Sequence, residues 1–173
     1  MIWNKDLIII KDNFLDETLF KKIYSELDKV KFVNRSTHKE GETQKIYFNA
    51  PLSTDHPAPI ALKSFFKAEL GMIINKMESF YFLSAKHEEP SPHDDTPGKI
   101  NCIIYLKGPS LVHNGTALYE KNGEMWNINS HIGFKENRAI IFSSHRKHAS
   151  LQFEQGATGR YLIANFIKDY DLE

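Results

Sequence analysis

The spacing of apolar and polar positions changes near residue 80, and the chain divides there. DLIIIKD (6–12) reads as a short β-branched strand. Asp16 is then placed to cap a helix in which Leu19, Phe20, Ile23, Tyr24 and Leu27 of ETLFKKIYSELDKV (17–30) share one face. Residues 34–58 are polar apart from the strand-like island KIYF, and IALKSFFKAELGMIINKMES (60–79) reads as a second helix running through Gly71. From Phe80 onward the pattern is of short strands: FYFLSAK (80–86), KINCIIYLKG (99–108), TALYE (116–120), MWNI (125–128), HIGF (131–134), RAIIFSS (138–144), HASLQF (148–153) and RYLIANFI (160–167). Turns such as KNGE and GATG separate them. Helices followed by a run of short strands predict an α+β fold, and a sandwich-like β core of jelly-roll type packs that many short strands. We expect a single domain over 1–173, with a strand and supporting helices from 1–79 packed on one side of a jelly-roll core, 80–173.

Composition changes this picture little. Hydrophobic residues make up 41% and charged residues 25%, a globular rather than a disordered mixture. Lys plus Arg balance Asp plus Glu at 22 each, which weighs against nucleic acid or an anionic membrane as a partner. Cys102 is the lone cysteine, so no internal disulfide is possible. The apolar run near the N-terminus is too short for a signal h-region or a membrane span. These features suit a soluble cytoplasmic protein acting on a protein, peptide or small-molecule substrate.

The candidate chemistry starts at SPHDDTPGK (91–99), where His93 precedes Asp94 and Asp95 among turn formers. In extended chain His93 and Asp95 project to one side and Asp94 to the other. A histidine and a carboxylate so placed are two of the three ligands of the facial triad that holds non-haem Fe(II) and leaves coordination positions open. A distant histidine should complete it, and RAIIFSSHRKHASL offers His145 and His148. His148 heads a strand and is favoured over His145 in the loop, which stays a competitor. An iron site that activates O2 needs electrons, which 2-oxoglutarate supplies, and its remote carboxylate needs a cation inside the barrel. Arg160, leading the apolar strand YLIANFI, fits that need. Asn101 and Tyr105, of one parity on the strand after His93, could hydrogen-bond the co-substrate or simply pack, and Tyr81 is a weaker candidate. Trp3 and Trp126 read as packing residues. His38, His56, His87, His113 and His131 read as surface or loop histidines, and the polar stretch within 34–58 is a lid candidate.

The ordered set PHDD (92–95), IIYLKG (103–108), NGTALYE (114–120), NRAIIFSSHRKHAS (137–150) and GRYLIANFI (159–167) resembles the Fe(II)/2-oxoglutarate-dependent oxygenases, on the prolyl 4-hydroxylase-like side of that superfamily. The resemblance covers most of the chain. It implies a double-stranded β-helix with iron held by His93, Asp95 and His148 and 2-oxoglutarate held at Arg160. It also implies consumption of O2, release of succinate and CO2, and hydroxylation of a peptidyl or free amino acid. Relatives that halogenate lack the carboxylate that Asp95 supplies. The sequence departs from the family pattern at Asn114, which stands where the first glycine of a pair is usual, and in its two distal histidines. Two other readings compete: a non-catalytic jelly-roll binding module, and a cupin-like metal enzyme that uses no 2-oxo acid.

Overall fold

The computed structural model describes residues 3–34, 48–84, 92–111, 114–151 and 159–173. His38, His87, His113 and most of the lid candidate lie outside these residues. The chain begins with β1 (Ile8–Lys11) and α1 (Glu17–Glu26), which ends in a single 3-10 turn, Leu27–Lys29. Asp16 caps α1 as expected, its Oδ1 accepting from the Leu19 amide at 2.9 Å. Two short strands follow, β2 (Val33–Asn34) and β3 (Phe48–Leu52), and then α2 (Pro57–Leu70) and β4 (Met72–Ser84).

The second helix is shorter than the apolar spacing predicts. It stops at Gly71, whose φ of 60° is left-handed and whose amide closes onto the Lys67 and Phe66 carbonyls. The residues beyond, MIINKMES, are the first part of the long strand β4. At the other end of α2, His56 is half-buried rather than a free loop residue. Its Nδ1 accepts from the Ala58 amide at 3.2 Å, just ahead of a proline at the first helical position.

The remaining strands are β5 (Ile100–Lys107), β6 (Gly115–Asn122), β7 (Met125–Gly133), β8 (Ala139–Ser143), β9 (His148–Leu151) and β10 (Arg160–Leu172). MWNI and HIGF, separate in the sequence pattern, form the single strand β7. The strands build two antiparallel sheets. The larger has seven strands in the order β1-β8-β5-β10-β4-β3-β2, and the smaller has the order β7-β6-β9. This is the α+β double-stranded β-helix that the sequence predicts. The N-terminal strands are part of it, because β1 and β3 extend the larger sheet at its two sides.

Alternation along the larger sheet gives it two apolar faces. One carries Cys102, Ile104, Ile163 and Ala50 and packs beneath α1 and α2 through Ile23, Leu27, Leu62 and Phe66. The other carries Tyr105, Ile140, Phe142, Leu162 and Ala164 and packs against Leu118, Ile132 and Phe134 of the smaller sheet and the turn after it. Each fully buried large apolar side chain contributes about 1.5–3 kcal/mol relative to exposure. Trp3 packs on the first of these cores, whereas Trp126 is 41% exposed and lies against the Lys147 ammonium rather than in a core. Among the described residues no helix is long and apolar enough to cross a membrane.

Candidate metal centre

Backbone pairing brings the two halves of the site together. The His93 amide donates to the His148 carbonyl at 3.0 Å and the His148 amide returns to the His93 carbonyl at 2.8 Å. This isolated bridge adds the His93 segment to the free side of β9 and sets the two imidazoles beside each other, tilted at 48° with centroids 4.5 Å apart. Asp95 is anchored by its amide, which donates to the Ser144 carbonyl at 2.9 Å. One ligand atom from each of His93, Asp95 and His148 then lies within 4.8 Å of the other two. Among the described residues these three are the group of His, Cys, Asp or Glu that could hold a metal ion.

The orientation of each side chain has a visible cause. His148 Nδ1 stands 3.1 Å from the Arg146 carbonyl, which can only accept, so Nδ1 carries the proton. Its Nε2 lies 3.2 Å from Asp95 Oδ2 and hydrogen-bonds to it when the imidazole is protonated, whereas in the neutral ring Nε2 is the lone-pair atom a metal would take. The Phe142 ring stands edge-on to His148 at 5.0 Å. Asp95 Oδ2 also accepts from Asn101 Nδ2 at 2.5 Å, and Asn101 Oδ1 accepts from Ser144 Oγ at 2.8 Å. Burial pushes the Asp95 carboxyl up, but the His148 hydrogen bond and charge, His93 and the Asn101 amide outweigh it and hold it below the usual carboxylate range. Gly98 makes the close fit possible, since a Cβ there would sit 2.9 Å from both Ser144 Oγ and the Asp95 carbonyl oxygen. Asp94 turns away, to the Thr96 hydroxyl at 2.8 Å and the Lys147 ammonium at 3.3 Å. His145 is exposed and lines a separate surface groove with Trp126 and Lys147.

A cavity of about 450 Å³ opens from these ligands and reaches Arg160 at the head of β10. Arg160 is 1% exposed. Its Nη1 donates to the Gly115 carbonyl at 2.6 Å and more weakly to that of Leu151 at 3.4 Å, and its Nη2 donates to Ser150 Oγ. Its Nε is buried without a hydrogen-bond partner. Arg138 shows the contrast. It forks onto Asp12 at 2.6 and 3.1 Å, whereas no carboxylate pairs with Arg160 among the described residues. Burial pulls the Arg160 guanidinium below its ordinary range, with Tyr105 acting in the opposite direction. A buried cation with an orphaned N–H is complementary to an anion that the protein itself does not provide.

Tyr105 lies behind this cation, its ring 5.5 Å from the guanidinium carbon and its hydroxyl 2.7 Å from Thr116 Oγ1. Burial pushes the Tyr105 hydroxyl up. Thr116, Ser150 and Asn101 line the cavity. Tyr81 is on the helix side of the sheet, where its hydroxyl meets His56 Nε2 at 3.1 Å. The sequence reading missed Ser144, Ser150, Thr116 and the Gly115 carbonyl. Ser150 alone had a local signal, since it stands two residues after His148 and so shares its face.

The chain shares this two-sheet jelly-roll fold with solved 2OG-Fe(II) oxygenases. An oxidoreductase of the 2OG-Fe(II) oxygenase family from Burkholderia pseudomallei aligns over 95% of this chain and 84% of its own, at TM-score 0.63 and 11% identity. A prolyl hydroxylase from Trichoplax adhaerens, solved with a hypoxia inducible factor oxygen degradation domain peptide fragment, aligns over 92% and 82% at TM-score 0.59 and 18% identity. The epimerase SnoN, solved with Fe3+, alpha ketoglutarate and nogalamycin RO, aligns over 98% and 82% at TM-score 0.59 and 9% identity. No family model matches the sequence, and no curated protein matches it.

Proposed function

We propose that the chain, acting as one domain over residues 1–173, is an Fe(II)- and 2-oxoglutarate-dependent dioxygenase. Its substrate is a peptidyl or free amino acid, hydroxylated at an unactivated C–H bond. One observation carries this reading: the His93, Asp95 and His148 cluster and Arg160, which no carboxylate pairs among the described residues, line the same cavity. The donor set suits Fe(II) with positions left open, and the unpaired cation suits a dicarboxylate reaching it from the metal. The cupin-like reading leaves that buried cation without a purpose.

Fe(II) with 2-oxoglutarate and O2 would supply oxidative decarboxylation, giving succinate and CO2, coupled to hydroxylation. The chain's own residues have simpler tasks. His93 and His148 offer neutral imidazole nitrogens and Asp95 a carboxylate that offsets part of the metal's charge. Arg138 and Asp12 neutralise each other at the surface, while Arg160, with no carboxylate partner among the described residues, is left for the remote carboxylate of the co-substrate. Asn101 fixes the Asp95 carboxylate, and Tyr105 backs both Arg160 and Thr116. The peptide in the Trichoplax adhaerens neighbour supports a peptide substrate, and alpha ketoglutarate in SnoN supports the co-substrate.

The test is anaerobic addition of Fe(II) and 2-oxoglutarate, following the visible charge-transfer absorption of the chelate. The band should form, be lost in His148→Ala, persist in His145→Ala and require far more 2-oxoglutarate in Arg160→Ala. Bound iron without the band refutes the proposal.

A further inference from the structure

We propose that the protein forms a two-fold dimer in which the edge strand β7 pairs antiparallel with β7 of a second copy, a pairing that does not depend on the oxygenase reading above. The two sheets have four outer edges. An edge offers a row of unpaired N–H and C=O groups, and proteins guard it by shortness, by charge or by cover. β1 has four residues and ends in Lys11, and β2 has two. The free side of β9 carries the His93 bridge. β7 has nine residues, Met125–Gly133, and none of them is Asp, Glu, Lys, Arg or Pro. Its register shift against β6 falls at Asn129 and leaves residues 125–128 in regular pairing.

That regular stretch is also where apolar surface is concentrated. Met125, Trp126 and Ile128 are 68%, 41% and 52% exposed, three of the eight large apolar side chains exposed among the described residues. Trp126 and Ile128 point to one face of the sheet and Asn127 to the other. The stretch fits its own image. With Asn127 on the two-fold axis, Trp126 of each copy stands opposite the partner's Ile128, so an aromatic–β-branched pair forms twice. The two Asn127 amides, each both donor and acceptor, then face each other. A charged foreign strand finds no charge on β7 to select it. A second copy brings none to repel, and the whole chain balances 22 cationic against 22 anionic residues, which favours self-association. A two-fold pairing uses both edges at once and therefore closes.

The test is sedimentation velocity of the full chain over about 1–500 µM, where the mass should rise toward twice that of one chain. Trp126→Thr keeps a strand-forming residue but removes the aromatic anchor twice per dimer. It should raise the dimer Kd at least about tenfold with the fold intact by circular dichroism. Ile60→Thr, a comparable change at a 49% exposed position of α2, should leave the Kd unchanged. Asn127→Cys reads the register. Opposed residues of an antiparallel pair lie about 4.5–5.5 Å apart between Cα atoms, within reach of a disulfide. Mild oxidation should therefore link that variant into a covalent dimer, while the wild type, whose Cys102 is buried, stays unlinked. A single-chain mass at every concentration overturns the proposal, as does a mass that climbs past the dimer. A dimer that Trp126→Thr does not weaken, that Ile60→Thr weakens as much, or that Asn127→Cys does not cross-link has its contact elsewhere, and β7 pairing is overturned.

Discussion

Replacing Arg160 by methionine should separate ligand binding from stability. The guanidinium is 1% exposed and has no carboxylate partner among the described residues, so it carries a desolvation cost of several kcal/mol. Its hydrogen bonds to the Gly115 carbonyl and Ser150 Oγ return about 1.5–3 kcal/mol each. The orphaned Nε costs about 1–3 kcal/mol. These terms nearly cancel, and methionine fills much of the same volume. The ligand-free protein should therefore lose less than about 2 kcal/mol, against the 3–5 kcal/mol expected when a buried ion pair is broken. Binding behaves differently. At 2-oxoglutarate concentrations 100 times its Kd, the wild type should gain about 2.7 kcal/mol. Losing a charged hydrogen bond worth about 2.3 kcal/mol raises Kd roughly 50-fold. The gain at the same concentration then falls to about 0.6 kcal/mol. Urea unfolding with and without 2-oxoglutarate, in the presence of the metal, reads both quantities. A loss of 3–5 kcal/mol in the ligand-free protein, with the 2-oxoglutarate gain intact, would show that Arg160 is a strut for the Gly115 and Leu151 carbonyls and not an anion receptor.

Three further outcomes follow from particular contacts. Asn101→Ala removes the amide that fixes Asp95 Oδ2 and should weaken Fe(II) binding about 10–100-fold in an anaerobic titration; unchanged affinity would mean that Ser144 and the backbone already hold Asp95. Gly115→Ala would set a Cβ 2.0 Å from the Ile132 carbonyl oxygen, forcing β6 from β7 at the point where Arg160 is anchored. It should cost about 1–3 kcal/mol in urea unfolding and weaken 2-oxoglutarate as well, and a neutral result refutes the tight approach. Burial lowers the His56 pKa from 6.5, so the unfolded chain binds the proton more readily and stability falls as pH drops from 6.5 through the folded value. His56→Asn, which keeps a capping side chain, should flatten that part of the stability-pH profile; an unchanged slope assigns it to other groups.

The parts of this molecule that follow from local pattern were readable, and the parts that follow from register were not. His93 and Asp95 could be paired on paper because two positions in extended chain fix a common side, and Arg160 because it leads an apolar strand. The Asn101 and Ser144 link to Asp95 depends on β5 lying beside β8, which places Asn101 opposite Phe142 and leaves Ser144 just past the strand end. No spacing in the sequence reports that. The second helix was overrun because LGMIINKM keeps an apolar spacing that both periods tolerate. The left-handed Gly71 and the β-branched Ile73 and Ile74 decide for a strand. His56 was read as a loop residue although Pro57 behind it is a helix-start signal, because histidine is not among the preferred caps.

The division of the site between the two sheets explains why its geometry depends on the core between them. His93 and His148 belong to the smaller sheet, through β9 and the bridge beside it. Arg160 and Asn101 belong to the larger one. Arg160 also bonds Ser150 of β9, two residues beyond His148, so the span from the His-Asp-His cluster to the cation is set along β9 as well as by the side chains filling the gap between the sheets. Phe142 touches His148 from the larger sheet, and Tyr105 packs on Phe134 at 5.0 Å while reaching Thr116 of the smaller sheet. Interiors packed this densely do not rescale smoothly. The same residues that hold the sandwich closed thus hold the His-Asp-His cluster and the Arg160 cation at a fixed separation, which under the proposed function would select a co-substrate with two acidic ends by its length.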